Sequence, residues 1–140
     1  MSNSLSCTRR LEIDVGHRLM RHDGKCRNVH GHRYAFEITC VADELDTVGR
    51  IIDFSAVKEV VGTWLDETMD HGFVYQEGDP IGAAIAADGS KVYEVPFPPT
   101  AENLAAYVLR KANTLLAGRG IKVMLVRCHE TPNCYADAHA

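Results

Sequence analysis

Three histidines in two short segments have the residue type and the spacing that a metal site needs. His17 follows Ile13 and Val15 in an alternating stretch, and His30 and His32 form a His-Gly-His motif. In an extended chain, side chains two residues apart point to the same face, so each segment directs its histidines toward its apolar side. If the segments pair as antiparallel strands about 5 Å apart, three ring nitrogens come within reach of one ion. Three imidazoles with a fourth position open are typical of a catalytic zinc site.

Two other interpretations of these histidines stay open. A single histidine on an apolar face is more often a hydrogen-bonded core residue, and an isolated His-x-His motif often occurs by chance. Three histidines with the same parity favour a metal site over coincidence. A structural zinc site with Cys26 as its fourth ligand competes with the catalytic one, since three imidazoles and a thiolate form a recognised closed ligand set.

Strands are needed to hold these histidines, and four segments have strand character. Two of them show period-two alternation, and the second of these is rich in aromatic and β-branched residues. The four predicted strands cover about residues 7 to 19, 30 to 42, 91 to 95 and 121 to 130.

Two segments show the apolar spacing of amphipathic helices. The first is predicted to begin after Asp53, a candidate N-cap, and to run to about Thr68. The second has Thr100 as its N-cap and is predicted to end before Gly118. Between the two helices, residues 76 to 80 begin a loop, and residues 81 to 87 are small and apolar without a clear period.

Composition limits the classes of protein and of partner. The chain has 140 residues, 46% of them apolar, and no repeat or linker divides it, so one domain over residues 1–140 is expected. A net charge of −4 argues against a nucleic acid or an anionic membrane as the main partner. No leader-like or membrane-spanning apolar run is present, so we expect a cytoplasmic protein. Five cysteines without paired spacing fit reduced thiols better than a disulfide framework.

Four motifs follow one another between about residues 11 and 135. They are His17 with Cys-x3-His-Gly-His at 26–32, Asp-His at 70–71, Pro-Thr-x-Glu-Asn at 99–103, and Glu-Thr at 130–131. In combination they resemble the 6-pyruvoyl-tetrahydropterin synthase superfamily. The three-residue spacer after the cysteine is similar to that of the 6-carboxy-5,6,7,8-tetrahydropterin synthase branch of bacterial queuosine biosynthesis.

This resemblance implies a fold, an assembly and a reaction. The fold would be the α+β tunnelling fold, an antiparallel four-stranded sheet with two helices packed on one face. Trimers would pair as homo-hexamers with sites between subunits. The reaction would convert 7,8-dihydroneopterin triphosphate to 6-carboxy-5,6,7,8-tetrahydropterin with loss of acetaldehyde and triphosphate.

The resemblance also implies roles for individual residues. His17, His30 and His32 would bind Zn²⁺, and Cys26 would be the catalytic base, since Lys25 and Arg27 beside it favour a thiolate. The competing interpretation of Cys26 remains the fourth zinc ligand.

A second group of residues would complete the active site. Asp70 and His71 would form a catalytic proton-transfer unit, although a histidine at a helix end is an equally good interpretation from the residues alone. Glu130 would bind the pterin, because one carboxylate can accept from a ring N–H and from the neighbouring amino group. Without the resemblance, Glu130 is an ordinary charge at the end of a strand.

The triphosphate and the reaction class stay open on the sequence alone. Five basic residues near the motifs are candidates for the triphosphate, but each is explained equally well as a solvated charge. They are Arg18, Arg21, Lys25, Arg27 and Arg33. Three alternatives to the carboxy-forming lyase remain: pyruvoyl-tetrahydropterin synthase activity by triphosphate elimination, an unrelated zinc hydrolase, and a zinc-stabilised module without activity.

Overall fold

The computed structural model describes residues 4–140 and places six strands in one sheet with three helices packed on it. The strands are β1 (Cys7–His17), β2 (His30–Ala42), β3 (Gly72–Gln76), β4 (Val92–Val95), β5 (Ile121–Thr131) and β6 (Cys134–His139). Helix α1 is continuous through Phe54–Val57, the π-helical Lys58–Gly62 and Thr63–Thr68, and it is followed by α2 (Pro80–Ala87) and α3 (Ala101–Leu115). The strand order is β4-β3-β1-β2-β5-β6.

The centre of the sheet is the long antiparallel pair of β1 and β2. Leu11 lies opposite Phe36 and Ile13 lies opposite Tyr34, and all four side chains are buried. The same ladder ends with His17 opposite His30. Since alternate residues share a face, the apolar side of this pair and the three histidines form one continuous surface. Helices α1 and α3 cover the apolar part of that surface.

The prediction of four antiparallel strands was wrong in strand number and in direction. Strand β3 lies parallel to β1, and β4 lies parallel to β3. Gly72 to Tyr75 are all buried, so β3 shows no alternation to reveal it in the sequence. Strand β6 pairs with β5 after a tight turn, and its inward residues are the small Ala136 and Ala138.

The prediction of two helices on one face holds for α1 and α3, but α2 is a third helix on the opposite face. Val74 of β3 lies in the core with α1 and α3, so its neighbour Tyr75 points to the other side. A Cβ at Gly82 of α2 would lie 2.1 Å from the Tyr75 ring. The close approach of α2 to the sheet therefore requires glycine at this position. No helix in the described part of the chain is long and apolar enough to span a membrane.

Candidate metal centre and active site

The three histidines converge at one end of the β1–β2 pair. One potential ligand atom from each lies within 4.8 Å of the other two. His17 is buried, while His30 and His32 are half-buried. The predicted pairing and shared face of these histidines are therefore confirmed, and their binding of a metal stays a prediction.

Backbone carbonyls fix the tautomer of two of these rings. Nδ1 of His17 donates to the carbonyl oxygen of Pro99 at 2.9 Å, and Nδ1 of His30 donates to that of Asn28 at 2.7 Å. Because a carbonyl oxygen only accepts, each Nδ1 carries the proton and each Nε2 keeps its lone pair. The two Nε2 atoms face each other at 3.1 Å. This is close to the separation of about 3.3 Å that Zn–N bonds of about 2.0–2.1 Å give in a tetrahedral site.

His32 adds an unpaired buried nitrogen to the group. Its Nε2 is buried and has no hydrogen-bond partner among the described residues. Oε1 of Glu130 lies 3.5 Å from it, within reach of an ion pair but outside hydrogen-bond geometry. An unpaired polar atom in a buried position costs free energy unless something binds it. Three converging imidazole nitrogens are a donor set that suits zinc, so these residues fit the implied metal.

The electrostatics of the site keep His17 neutral. Burial is the main cause that lowers its pKa to about 4; the nearby His30 and His32 act in the same direction, and the Pro99 hydrogen bond acts against them. A metal binds the neutral imidazole, so this histidine is in the required protonation state at pH 7.

Cys26 lies on the loop that leads from β1 back to the histidines of β2. It occupies the 3-10 turn Lys25–Arg27, and its carbonyl oxygen accepts from the Leu19 amide at 2.9 Å. The Cys26 sulfur is not part of the close group of ligand atoms formed by the three histidines. Tyr34, buried beneath the histidines, has a raised pKa because of its burial and, secondly, because of the nearby Glu130 carboxylate. Cys26 thus precedes His30 by four residues in the chain and contributes no ligand atom to the group of three histidines.

Asp70 and His71 form the contact that their adjacency suggested. Nδ1 of His71 lies 2.8 Å from Oδ2 of Asp70. Burial raises the pKa of Asp70, but hydrogen bonds from the Asp14 amide and from His71 outweigh it and leave that pKa below its usual value. His71 has φ of 59° and donates its amide to the Asp14 carbonyl at 2.7 Å. The unusual backbone conformation is held by contacts to β1.

Within one chain, the sheet separates this pair from the three histidines. Asp14 alternates with Ile13 and Val15, so its side chain lies on the face opposite the histidines. On that face Gly16 pairs with Gly31, and their missing side chains leave a cavity of about 410 Å³ beside His71. The pair and the metal centre thus open to different sides of the molecule.

Glu130 lies at the end of β5, beside the metal centre. Its carboxylate is 30% exposed, and together with Glu102 and Tyr135 it lines a cavity of about 330 Å³. Glu102, at the start of α3, was missing from the predicted site residues. The Pro-Thr-x-Glu-Asn motif was the signal that could have identified it.

Two of the candidate phosphate-binding bases are already paired. Arg18 binds Asp79 through two hydrogen bonds of 2.8 and 2.5 Å, and the Asp79 side chain is fully buried. Arg33 lies 3.1 Å from Asp14. The other three candidates, Arg21, Lys25 and Arg27, are exposed on the Cys26 loop.

Comparison with known proteins gives the family. Residues 6–140 match the model of the family described as 6-pyruvoyl tetrahydropterin synthase. Similar proteins include the 6-carboxy-5,6,7,8-tetrahydropterin synthases of Rickettsia felis, 38% identical over 95% of this chain and 99% of that one, and of Haemophilus influenzae, 31% identical over 93% and 95%.

Solved structures share the fold. An uncharacterized protein from Wolinella succinogenes superposes with a TM-score of 0.86 at 20% identity, covering 99% of both chains. The Caenorhabditis elegans 6-pyruvoyl tetrahydropterin synthase superposes with a TM-score of 0.71 at 22% identity, covering 99% of this chain and 96% of that one. Taken with the family match over nearly the whole sequence, these relatives show that the chain belongs to the 6-pyruvoyl tetrahydropterin synthase family of enzymes.

Proposed function

We propose that the protein is a zinc-dependent lyase. It converts 7,8-dihydroneopterin triphosphate to 6-carboxy-5,6,7,8-tetrahydropterin, with release of acetaldehyde and triphosphate, in queuosine or a related 7-deazapurine pathway. The names of its relatives support this product. The structural observation that carries the proposal is the convergence of three imidazole nitrogens. One of them, Nε2 of His32, is buried without a hydrogen-bond partner among the described residues and lies 3.5 Å from Glu130.

His17, His30 and His32 would hold the ion. When bound, zinc supplies a Lewis acid that polarises a substrate hydroxyl or carbonyl and stabilises negative charge on its oxygen. The Pro99 and Asn28 carbonyls keep the Nε2 lone pairs of His17 and His30 available for that ion. Burial of His17 and of the Tyr34 hydroxyl beneath the rings keeps water away from that side of the centre.

In this proposal Cys26 is the catalytic base and Glu130 binds the substrate. Cys26 lies outside the group of ligand atoms, so its thiolate is free to accept a proton from the substrate at Sγ. Glu130 faces a cavity large enough for part of a bicyclic ring and accepts two hydrogen bonds from the pterin edge. Since Glu130 lies 3.5 Å from His32, a pterin held by Glu130 would lie next to the metal ligands.

Asp70 and His71 would reach the active site of another subunit. They form a hydrogen-bonded pair with an exposed imidazole, which suits proton transfer. They lie, however, on the face of the sheet opposite the three metal-binding histidines of the same chain. Within residues 4–140, the edge strands β4 and β6 each have one side without a strand partner. Pairing of such edges between copies would build the proposed hexamer. It would also bring Asp70 and His71 of one copy to the metal centre of another.

The exposed bases of the Cys26 loop are the ones we propose for the triphosphate. Arg18 and Arg33 are engaged with Asp79 and Asp14, so moving them to a phosphate would break existing ion pairs. Arg21, Lys25 and Arg27 are free of this cost, since they are exposed on the loop beside the metal centre. Their combined positive charge would attract the triphosphate to this loop, although the chain as a whole has a net negative charge.

Product analysis tests this function. Purified protein is incubated with 7,8-dihydroneopterin triphosphate, and the pterin product is identified by its mass. We expect 6-carboxy-5,6,7,8-tetrahydropterin together with acetaldehyde. Formation of 6-pyruvoyl-tetrahydropterin would move the protein to the pyruvoyl branch, and simple hydrolysis of the triphosphate without loss of acetaldehyde would contradict the lyase.

A further inference from the structure

A short turn joins helix α3 to the metal centre. The Pro99 carbonyl oxygen, which accepts from Nδ1 of His17 at 2.9 Å, lies two residues before the first residue of α3. Thr100 caps that helix, with its Oγ1 accepting from the Asn103 amide at 3.1 Å. The position of the Pro99 carbonyl therefore depends on how residues 98–100 are held against the start of α3.

The turn has little freedom of its own. Both prolines have φ fixed by their rings, which leaves ψ as the soft backbone angle of each. The Thr100 amide donates to the Pro98 carbonyl at 2.8 Å, which closes a three-residue turn around Pro99. The direction of the Pro99 carbonyl is thus set by the anchoring of the Pro98 carbonyl.

Asn103 provides that anchor. Its side-chain Nδ2 donates a second hydrogen bond to the Pro98 carbonyl, at 2.9 Å. The side chain comes from the first turn of α3, so the turn is tied to a helix whose inner face is in the core. A continuous set of hydrogen bonds therefore runs from Asn103 through the turn to the His17 ring.

We propose that Asn103 is a positioning residue for the metal centre: its amide holds the Pro98–Thr100 turn so that the Pro99 carbonyl keeps His17 in the Nδ1–H tautomer. This tautomer leaves Nε2 as the ligand atom. The inference rests on the proposed function for its metal, but the tautomer of His17 is a property of the metal-free chain as well.

Asn103→Ala is the test variant, because alanine removes only the side-chain donor and keeps the backbone amide that caps the helix. Asn113 offers a matched control on the same helix, about 15 Å further along it. The Asn113 side chain makes three hydrogen bonds, to the Leu109 and Val123 carbonyls and from the Val123 amide. Asn113→Ala should therefore lower the melting temperature at least as much as Asn103→Ala.

Two measurements test the positioning role of Asn103. In metal-free protein, the ¹⁵N chemical shifts of the His17 ring should show a single Nδ1–H tautomer in the wild type and in Asn113→Ala, and a tautomer mixture in Asn103→Ala. In chelator competition, Asn103→Ala should bind zinc about tenfold more weakly, at the lower end of the range for outer-shell partners, while Asn113→Ala matches the wild type.

The outcomes separate this inference from the proposed function. Unchanged ring shifts and zinc affinity in Asn103→Ala would overturn the positioning role and leave the metal site standing. Equal changes in both variants would also overturn it, because general destabilisation would then explain the effect. If the wild type binds no zinc, the proposed function fails, and the metal-free ring shifts still decide the role of Asn103.

Discussion

Two main-chain carbonyls decide which nitrogen of each ring can bind a metal. The Pro99 and Asn28 carbonyl oxygens accept hydrogen bonds from Nδ1 of His17 and His30, so both rings present Nε2 to the same point. Free imidazole rings would sample both tautomers, and binding an ion would then require selecting one of them. These hydrogen bonds fix the tautomer before any ion binds, which lowers the free-energy cost of forming the metal site.

Zinc content tests the three histidines and separates the two roles open to Cys26. We expect about one zinc per chain in the wild type, as in mononuclear three-histidine sites, and loss of zinc in His30→Ala. Cys26→Ala should keep its zinc and lose turnover, because the sulfur lies outside the group of ligand atoms. Metal analysis and product formation on the same samples check this. Release of zinc from Cys26→Ala would instead support a closed four-ligand site.

Binding of a non-reactive pterin tests Glu130. Replacing its carboxylate with an amide in Glu130→Gln turns one acceptor into a donor that faces a pterin donor, so affinity should fall. A loss of roughly 2 to 4 kcal/mol corresponds to about 30- to 1,000-fold. Titration of biopterin or sepiapterin, followed by ring fluorescence, measures it. Glu59→Gln on α1 should bind like the wild type, and zinc content should be unchanged in both variants. If Glu130→Gln binds the pterin as tightly as the wild type, the carboxylate does not anchor the pterin.

At the level of elements, the sequence predicted the strands and helices that bury one face and expose the other. Strands β1 and β2 have one face in the core, so period-two alternation identified them and placed the histidines correctly. Helices α1 and α3 were found from their apolar stripes and from the N-caps Asp53 and Thr100, both of which accept from backbone amides.

The elements that were missed are those whose pattern depends on tertiary contacts. Strand β3 is covered on both faces, and the inner residues of β6 are alanines, so neither shows a strong alternation. Helix α2 is also small and apolar throughout, although Asp79 at its N-cap and Pro80 after it were readable signals. Long-range partners such as Arg18 with Asp79 follow from the packing of these missed elements and could not be read locally.

The buried Arg18–Asp79 pair predicts a large effect of one amide substitution. Asn caps a helix about as well as Asp, so Asp79→Asn keeps the cap of α2 but leaves the Arg18 charge without its partner. We expect a loss of about 3 kcal/mol in the free energy of unfolding at pH 7, measured by urea denaturation. Asp53→Asn, at the exposed N-cap of α1, is the control and should have a much smaller effect. Equal effects in the two variants would show that the pair adds nothing beyond capping.

The same pair predicts a pH dependence with a definite sign. Hydrogen bonds from Arg18 hold the pKa of Asp79 below its usual range, against the opposing effect of burial. A carboxyl group with a lowered folded-state pKa stabilises the protein above its unfolded pKa of about 3.9, and that contribution is lost as the pH falls through the lower folded value. The stability difference between wild type and Asp79→Asn should therefore be full at neutral pH and shrink below about pH 4. A difference that grows on acidification would contradict this assignment.

At the level of the whole molecule, one chain carries two groups of candidate site residues on opposite sides of its sheet, and under the proposed function each is a half-site. The metal centre with Cys26 opens on the core side of the sheet, and Asp70 with His71 lies on the other side. In the part of the chain that the structure describes, β4 and β6 each have one edge without a strand partner. A shared active site would explain why one chain carries both half-sites.

Mixing two inactive variants tests the shared site directly. If Cys26 and His71 of one site come from different chains, co-expressed Cys26→Ala and His71→Ala form oligomers in which random assembly leaves about a quarter of the sites intact. We therefore expect about a quarter of wild-type turnover per site, with mixed assembly checked by native mass spectrometry. Cys26→Ala co-expressed with His30→Ala is the control, because Cys26 and His30 belong to the same half-site, and every site then lacks one of them. Recovery in the control would instead place Cys26 and His30 of one site in different chains. No recovery in the test mixture despite mixed oligomers would place all the catalytic residues in one chain, which the opposite orientation of the two half-sites argues against.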